Sequence, residues 1–239
     1  MDEPHAITTP EKTGNILWRR SKALISYPEA IGFMEKYVRS IRDGSAAELI
    51  WSLEHPRLFT AGTSAKPEHL INPLGLPTYE AGRGGQWTYH GPGQRIIYLM
   101  LDLTRAHGHI PPRDLRAFVT GLEQWIMTAL AAFGIAGATY PDRVGVWVLD
   151  PHTKKEAKIA AIGIRISRWV SWHGISLNVD PDLDDFNGIV PCGITEYGVT
   201  SLSRFHPGIT IEEADEALAR AWESVFEMPL RPIVPDRSF

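Results

Sequence analysis

The sequence predicts an α+β fold, with a mixed β-sheet flanked by helices in a single domain. Three observations predict it. Helical periods and strand-length apolar runs follow one another without strict alternation, which disfavours a doubly wound parallel sheet. The 239 residues carry no internal repeat and no second core is demanded by their number. Hydrophobic residues make up 44 % and charged residues 22 %, the balance of a chain able to bury a sizeable core.

Residues 1–14 are polar, contain Pro4 and Pro10 and offer no apolar face, so they are expected to be a loose N-terminal tail ahead of a domain spanning 15–239. Pro28 suits the first turn of a helix that runs through Ile31, Met34 and Val38 and stops at Asp43-Gly44. Leu49 to Leu53 is short, apolar and strand-like. Residues 56–94 hold five Pro and seven Gly, a density that leaves only strand-length pieces between loops. Ile96 to Leu103 is a continuous apolar run, long enough for a strand covered on both faces.

A helix follows on Leu115, Phe118, Val119, Leu122, Trp125, Ile126, Leu130 and Phe133, spaced by three and four, with Pro111-Pro112 before it and Gly134 after. Val144 to Leu149, Ile159 to Ile166 and Ile175 to Val179 read as strands, the first two joined by a polar turn around Pro151 to Glu156. Thr210 and Glu213 form a capping box for a last helix through Ala217, Leu218, Ala221, Trp222 and Val225.

The net charge of −4 removes the general attraction on which nonspecific nucleic-acid binding rests, so no nucleic-acid partner is expected. No stretch approaches the ~18 apolar residues of a membrane span, and the first residues lack the layout of a secretory signal. With a single cysteine, Cys192, the chain can form neither an internal disulfide nor a Cys-rich zinc site. A cytoplasmic protein without a membrane partner is the expectation. His107 and His109 have no third ligand nearby and are expected on a surface loop, not at a metal. His-Glu-x-x-His, Gly-x-Ser-x-Gly and Ser-x-x-Lys are all missing, which removes those hydrolase signatures.

Three segments concentrate chemistry. Gly82 to Gln94, GRGGQWTYHGPGQ, surrounds Arg83 and His90 with glycines whose backbone can approach a ligand closely. It lacks the Gly-Lys-Ser/Thr end of a phosphate-binding loop, and Trp87 stands at the third glycine of a dinucleotide fingerprint. Cys192 lies between Pro191 and Gly193 and is either an inert thiol or a nucleophile; as a nucleophile it needs a cation or base from elsewhere in the fold. Lys158 precedes the apolar run IAAIGI and is either that cation or a solvated neighbour of Lys154 and Lys155. His173, in WHGISLNV, is either a structural histidine or a pocket wall. Arg165 and Arg168 alternate with apolar neighbours and are expected to face solvent or a partner.

Taken together, these segments resemble the octanoyltransferases of lipoic acid synthesis, the lipoyl-protein ligase B-type enzymes. The resemblance rests on EHPRLFTAGTS (Glu54 to Ser64), GRGGQWTYHGPGQ, KIAAIGIRISRWVSWHGISLNV (Lys158 to Val179) and GIVPCGI (Gly188 to Ile194), in that order. It implies a fold similar to the catalytic domains of biotin and lipoate ligases. It also implies Cys192 as acyl-thioester nucleophile and Lys158 as the residue that lowers its pKa and serves as general base. The implied acyl-binding walls are Arg83, Gly84, Gly85, Gln86, Trp87, Thr88, Tyr89 and His90, then Ala161, Ile162 and Gly163, and His173, Gly174, Ile175 and Ser176. Ala161 stands where many members have Ser, and Trp87 where a smaller aliphatic residue is usual. The implied donor is octanoyl-acyl carrier protein. The implied acceptors are lipoyl domains of 2-oxoacid dehydrogenase E2 subunits and glycine-cleavage H protein, and no cofactor is needed. The rivals are an ATP-dependent lipoate or biotin-type ligase and a noncatalytic acyl-carrier-binding module.

Overall fold

A continuous mixed sheet carries the molecule. The computed structural model describes residues 16–189 and 197–233; the expected tail and Cys192 therefore lie outside the described residues. The strands are β1 (Ile16–Leu24), β2 (Leu49–Glu54), β6 (Gln94–Met100), β7 (Ala138–Tyr140), β8 (Arg143–Leu149), β9 (Glu156–Ser167), β10 (Val170–Asn178), β11 (Gly198–Val199) and β12 (Leu230–Ile233). They lie in the order β12-β1-β2-β6-β10-β9-β8-β7, with β11 also paired to β9. β1 runs parallel to both β12 and β2, whereas β2, β6, β10, β9, β8 and β7 are successively antiparallel. A smaller sheet, β4-β3-β5, is cut from the Pro- and Gly-rich segment: β3 (Leu58–Ala61), β4 (Thr78–Glu80) and β5 (Trp87–His90).

Each helix starts where a side chain satisfies its free amides. α1 (Tyr27–Arg42) begins behind Ser26 with Pro28 in its first turn, and α2 (Leu115–Ala131) begins where Asp114 accepts from the Ala117 amide at 2.9 Å. α3 (Ile211–Phe226) has the complete Thr210–Glu213 capping box that the sequence announced. α2 and α3 cover one face of the sheet through Trp125, Trp222 and Phe226; the Trp222 and Phe226 rings stack at 3.8 Å. α1 covers part of the other face through Ala30, Met34 and Val38 on Leu49, Trp51 and Leu53. No helix among the described residues is long and apolar enough to cross a membrane.

The strand expected over 96–103 stops at Met100. Leu101 and Leu103 stay buried, but the ladder gives way to turns and an isolated bridge from Asp102 to Val170. Phe133 lies beyond the end of α2. His107, expected on a surface loop, is 1 % exposed, because its Nε2 meets the Glu48 carboxylate at 2.9 Å and this pairing satisfies it in the interior. Arg165 and Arg168 are exposed as expected.

One irregularity positions the site. Val146 pairs with Ala160 and Trp147 with Lys158, so β9 advances two residues while β8 advances one. This is a β-bulge, and it reverses the alternation of β9. Lys158 and Ala161, three apart, consequently border the same cavity.

Candidate active site

The cavity lies between the β9–β10 face and the small sheet. Its outer part, about 290 Å³, is bordered by Lys158 and Val144 at one side and by Gly84, Gly85, Gln86 and Trp87 at the other. An inner chamber of about 50 Å³ continues it, bordered by Tyr27, His90, Ile96, Tyr98, Gly163, His173, Gly174 and Ile175. Arg83, Thr88, Ala161, Ile162 and Ser176 border both parts and form the neck. Ala161 and Ser176 are register partners on β9 and β10, so their small side chains sit opposite one another there.

Lys158 is 7 % exposed. Its Nζ donates to the Val144 carbonyl at 2.9 Å and lies 4.7 Å from the centre of the Trp147 ring, a favourable seat for a cation. Gly145, between those two residues, has φ of +119°. A Cβ there would fall 2.7 Å from the Ala160 carbonyl oxygen and 3.4 Å from Lys158 Cε. The absence of a side chain lets β8 close over the lysine. Arg143 braces the same strand: its guanidinium bonds Glu156 at 2.6 Å and lies against the rings of Tyr140, Trp147 and Tyr197.

Arg83 fastens the glycine-rich loop to the small sheet. Its Nη2 donates to the Thr60 carbonyl and hydroxyl at 2.9 and 2.8 Å, and its Nη1 to the Gly84 carbonyl at 2.9 Å. A Cβ at Gly163 would meet Arg83 Cδ at 2.9 Å, so that glycine lets the arginine stem lie across β9.

Three buried imidazoles cluster at the inner chamber: His90 and His173 border it, and His55 lies behind His90 with its ring centre 5.9 Å away. Burial lowers the pKa of His173 to about 3, with Arg83 and Arg165 adding to the effect. Burial likewise takes His55 to about 4, and His90 goes well below its ordinary value by burial and its neighbour His55. All three are neutral at pH 7. Tyr98 lies between His55, whose Nε2 is 2.7 Å from its hydroxyl, and the His173 ring, 5.8 Å away edge-on. Tyr27 is raised to about 12 by burial, so its hydroxyl keeps its proton.

Most of the expected wall residues border this space. Tyr89 does not. On β5 it points away from Thr88 and His90, packs with Phe59 and Phe186, and donates to Asp185 at 2.5 Å. Trp87 borders the outer part, but it belongs to the same cluster and its indole donates to the Lys66 carbonyl at 2.9 Å. It therefore leaves the bore of the tunnel to Thr88. Residues the sequence reading missed are Tyr27, Ile96, Tyr98, Gln94 and Asn178. Of these, Gln94 and Asn178 lay inside quoted blocks and Ile96 and Tyr98 inside an expected strand, without being singled out. The Gln94 amide bonds His90 Nδ1 at 2.7 Å and Asn178 at 2.9 Å, fixing the ring.

A buried lysine at the wide end of a two-part cavity on an α+β sheet has the form of a ligand-binding or catalytic site. Residues 26–223 match the lipoyl protein ligase A/B catalytic domain. An octanoyltransferase of Gluconacetobacter diazotrophicus is 56 % identical over 233 residues, covering 98 % of this chain and 99 % of its own. One of Acidiphilium cryptum is 52 % identical over 92 % of this chain and 96 % of its own. The fold also resembles lipoate-protein ligase A in its ATP-bound crystal structure, with a TM-score of 0.67 at 14 % identity over 94 % of this chain and 90 % of that one. The bipartite lipoate protein ligase of Thermoplasma acidophilum superposes with a TM-score of 0.66 at 16 % identity, covering 94 % and 88 %. The chain belongs to the lipoyl protein ligase A/B catalytic domain family, and its kinship with octanoyltransferases over nearly its whole length makes it an acyltransferase.

Proposed function

We propose that this protein moves an octanoyl group from octanoyl-acyl carrier protein to a lysine of an acceptor, through a thioester on Cys192 with Lys158 as its partner. Lipoyl domains of 2-oxoacid dehydrogenase E2 subunits and glycine-cleavage H protein are the acceptors. In the first step Cys192 Sγ attacks the carrier thioester. A new C–S bond forms, the carrier's C–S bond breaks, and the carrier leaves as a thiol that takes its proton from the Lys158 ammonium, which thereby becomes neutral. The two thioesters are similar in energy, so no ATP is required. In the second step the acceptor amine attacks, a C–N bond forms, the bond to Sγ breaks, and Lys158 in its neutral form receives the amine proton.

The observation that carries this reading is the position of the cavity relative to the chain. Ile189 and Val199 both border the outer part beside Lys158. Cys192 itself lies outside the described residues and follows Ile189 by three positions in the sequence. Val199 also pairs with Lys158 itself. The outer part and the neck supply a narrow, mostly uncharged path for the acyl tail along β9.

The test is intact mass of the purified protein after incubation with octanoyl-acyl carrier protein. An octanoyl adduct that maps to Cys192 and is released by hydroxylamine is expected, and Cys192→Ala is expected to abolish transfer to a lipoyl domain. ATP-dependent modification from free octanoate that persists in Cys192→Ala would instead place the protein with the ligases.

A further inference from the structure

The inner chamber sets a few polar groups into an otherwise apolar wall. Two buried polar atoms in its wall, the Tyr27 hydroxyl and His173 Nε2, have no hydrogen-bond partner within the protein among the described residues. Both residues are almost fully buried, at 3 % and 2 % exposure. His173 Nε2 is a buried ring nitrogen without a protein partner in a residue that borders the chamber, a donor or an acceptor according to the tautomer. His90 is held differently: its Nδ1 pairs with the Gln94 carbonyl oxygen at 2.7 Å and its Nε2 with Thr60 Oγ1 at 3.4 Å, so both ring nitrogens have partners within the protein. His173 is further held with φ of +58°, a conformation that costs energy in a non-glycine residue and fixes the direction of its ring.

A methyl terminus pressed against these atoms would leave them desolvated and unpaired. One water molecule can pair with both, since it donates to a bare ring nitrogen or accepts from a protonated one and can do either toward the Tyr27 hydroxyl. The chamber, at about 50 Å³, exceeds the roughly 10–15 Å³ that a water requires. We propose that an ordered water bound by Tyr27 and His173 ends the acyl tunnel and acts as the ruler that limits acyl-chain length. Chains up to the medium length stop short of it. Longer chains must expel it and leave two buried polar atoms facing methylene groups, so discrimination against them comes from lost hydrogen bonds as well as from volume. This inference rests on the acyl-transfer reading above.

The experiment compares kcat/KM for hexanoyl, octanoyl, decanoyl and dodecanoyl thioesters of the carrier in the wild type and in Tyr27→Phe, which removes one partner of the water without changing the ring. The ratio of decanoyl to octanoyl transfer is expected to rise about tenfold, the worth of one hydrogen bond at a buried site. A ratio unchanged within twofold in a variant that melts like the wild type would overturn the ruler. A high-resolution crystal structure of the wild type decides independently of any variant: density for a water bonded to Tyr27 and His173 is expected, and a dry chamber would sink the proposal. Failure of every donor to acylate wild-type Cys192 would instead defeat the acyl-transfer reading, while leaving the crystallographic result standing.

Discussion

Lys158 sits in a polarised seat that no single neighbour explains. The Val144 carbonyl and the Trp147 face both favour a cation, and Gly145 makes room for the stem between them. A positive charge held at the cavity wall favours the thiolate of a nearby cysteine. Lys158→Met keeps the stem and removes the charge. The midpoint of Cys192 alkylation against pH is therefore expected to rise toward the ~8.5 of a free thiol. An unchanged midpoint would mean that the two side chains are not neighbours. At this scale the sequence was informative where chemistry and motif coincide: Lys158, Arg83, Thr88, His90, Ala161, Gly163 and Ser176 all border the tunnel. It was uninformative for Tyr27 and Tyr98, because an aromatic ring at helical or strand spacing reads equally as core. Tyr89 misled for the same reason. Only the pleat, which sends alternate side chains of β5 to opposite faces, separates it from Thr88 and His90.

The elements were legible where their period was clean and illegible where it was broken. α2, α3 and β8 stand close to their expected bounds. β1 was missed because Arg19, Arg20 and Ser21 interrupt its apolar pattern; Arg19 is nonetheless buried, its guanidinium 4.8 Å from the centre of the Trp51 ring. β12 was missed because it contains Pro232, a residue that sheets admit at an edge, where β12 lies. The β9–β10 turn also gave no signal. It is made by Arg168 and Trp169, with φ of 50° and 67°, in place of the Asn-Gly or Asp-Gly pair that such a turn prefers. The β9 bulge was hidden too, since strict alternation would send Lys158 and Ala161 to opposite faces. Because that bulge is packed against Gly145, the fit can be tested there. Gly145→Ala drives a Cβ to within 2.7 Å of a backbone oxygen at a positive φ, so strand β8 must shift. A loss of roughly 1–3 kcal/mol in urea unfolding is expected. A fall in kcat larger than the rise in KM should accompany it, because the displaced Val144 carbonyl is the one that holds Lys158.

Across the whole molecule, the two faces of the sheet are differently filled. The α2–α3 side is a nearly all-apolar core, whereas the tunnel side buries Arg83, His55, His90, His173, Gln94 and Asn178. One charged pair crosses to the apolar side: Arg95 of β6 bonds both carboxylate oxygens of Asp215 on α3, at 2.8 and 2.6 Å. A catalytic face built from neutral imidazoles ties stability to pH. For each histidine the folded pKa lies below the unfolded ~6.5, so the unfolded chain binds more protons as pH falls, and stability present above pH 6.5 is lost below it. The window follows from His55 at about 4 and His173 at about 3, with His90 shifted in the same direction. Asp215 acts in the opposite sense, since burial raises its carboxyl, but it is a single group. Asp150, lowered to about 2 by hydrogen bonds that outweigh its burial, adds to acid loss only below the ordinary carboxylate range. Urea unfolding should therefore be nearly independent of pH from 8 to 7. Between pH 6 and 5 the free energy should fall, His55 and His173 together giving a slope approaching about 3 kcal/mol per pH unit, the value for two protons taken up together, with His90 acting in the same direction. A stability curve that stays flat down to pH 5 would show that these imidazoles are solvated in the folded protein, and the tunnel face would then have to be wetter and looser than its packing of Arg83, Tyr98 and His173 requires.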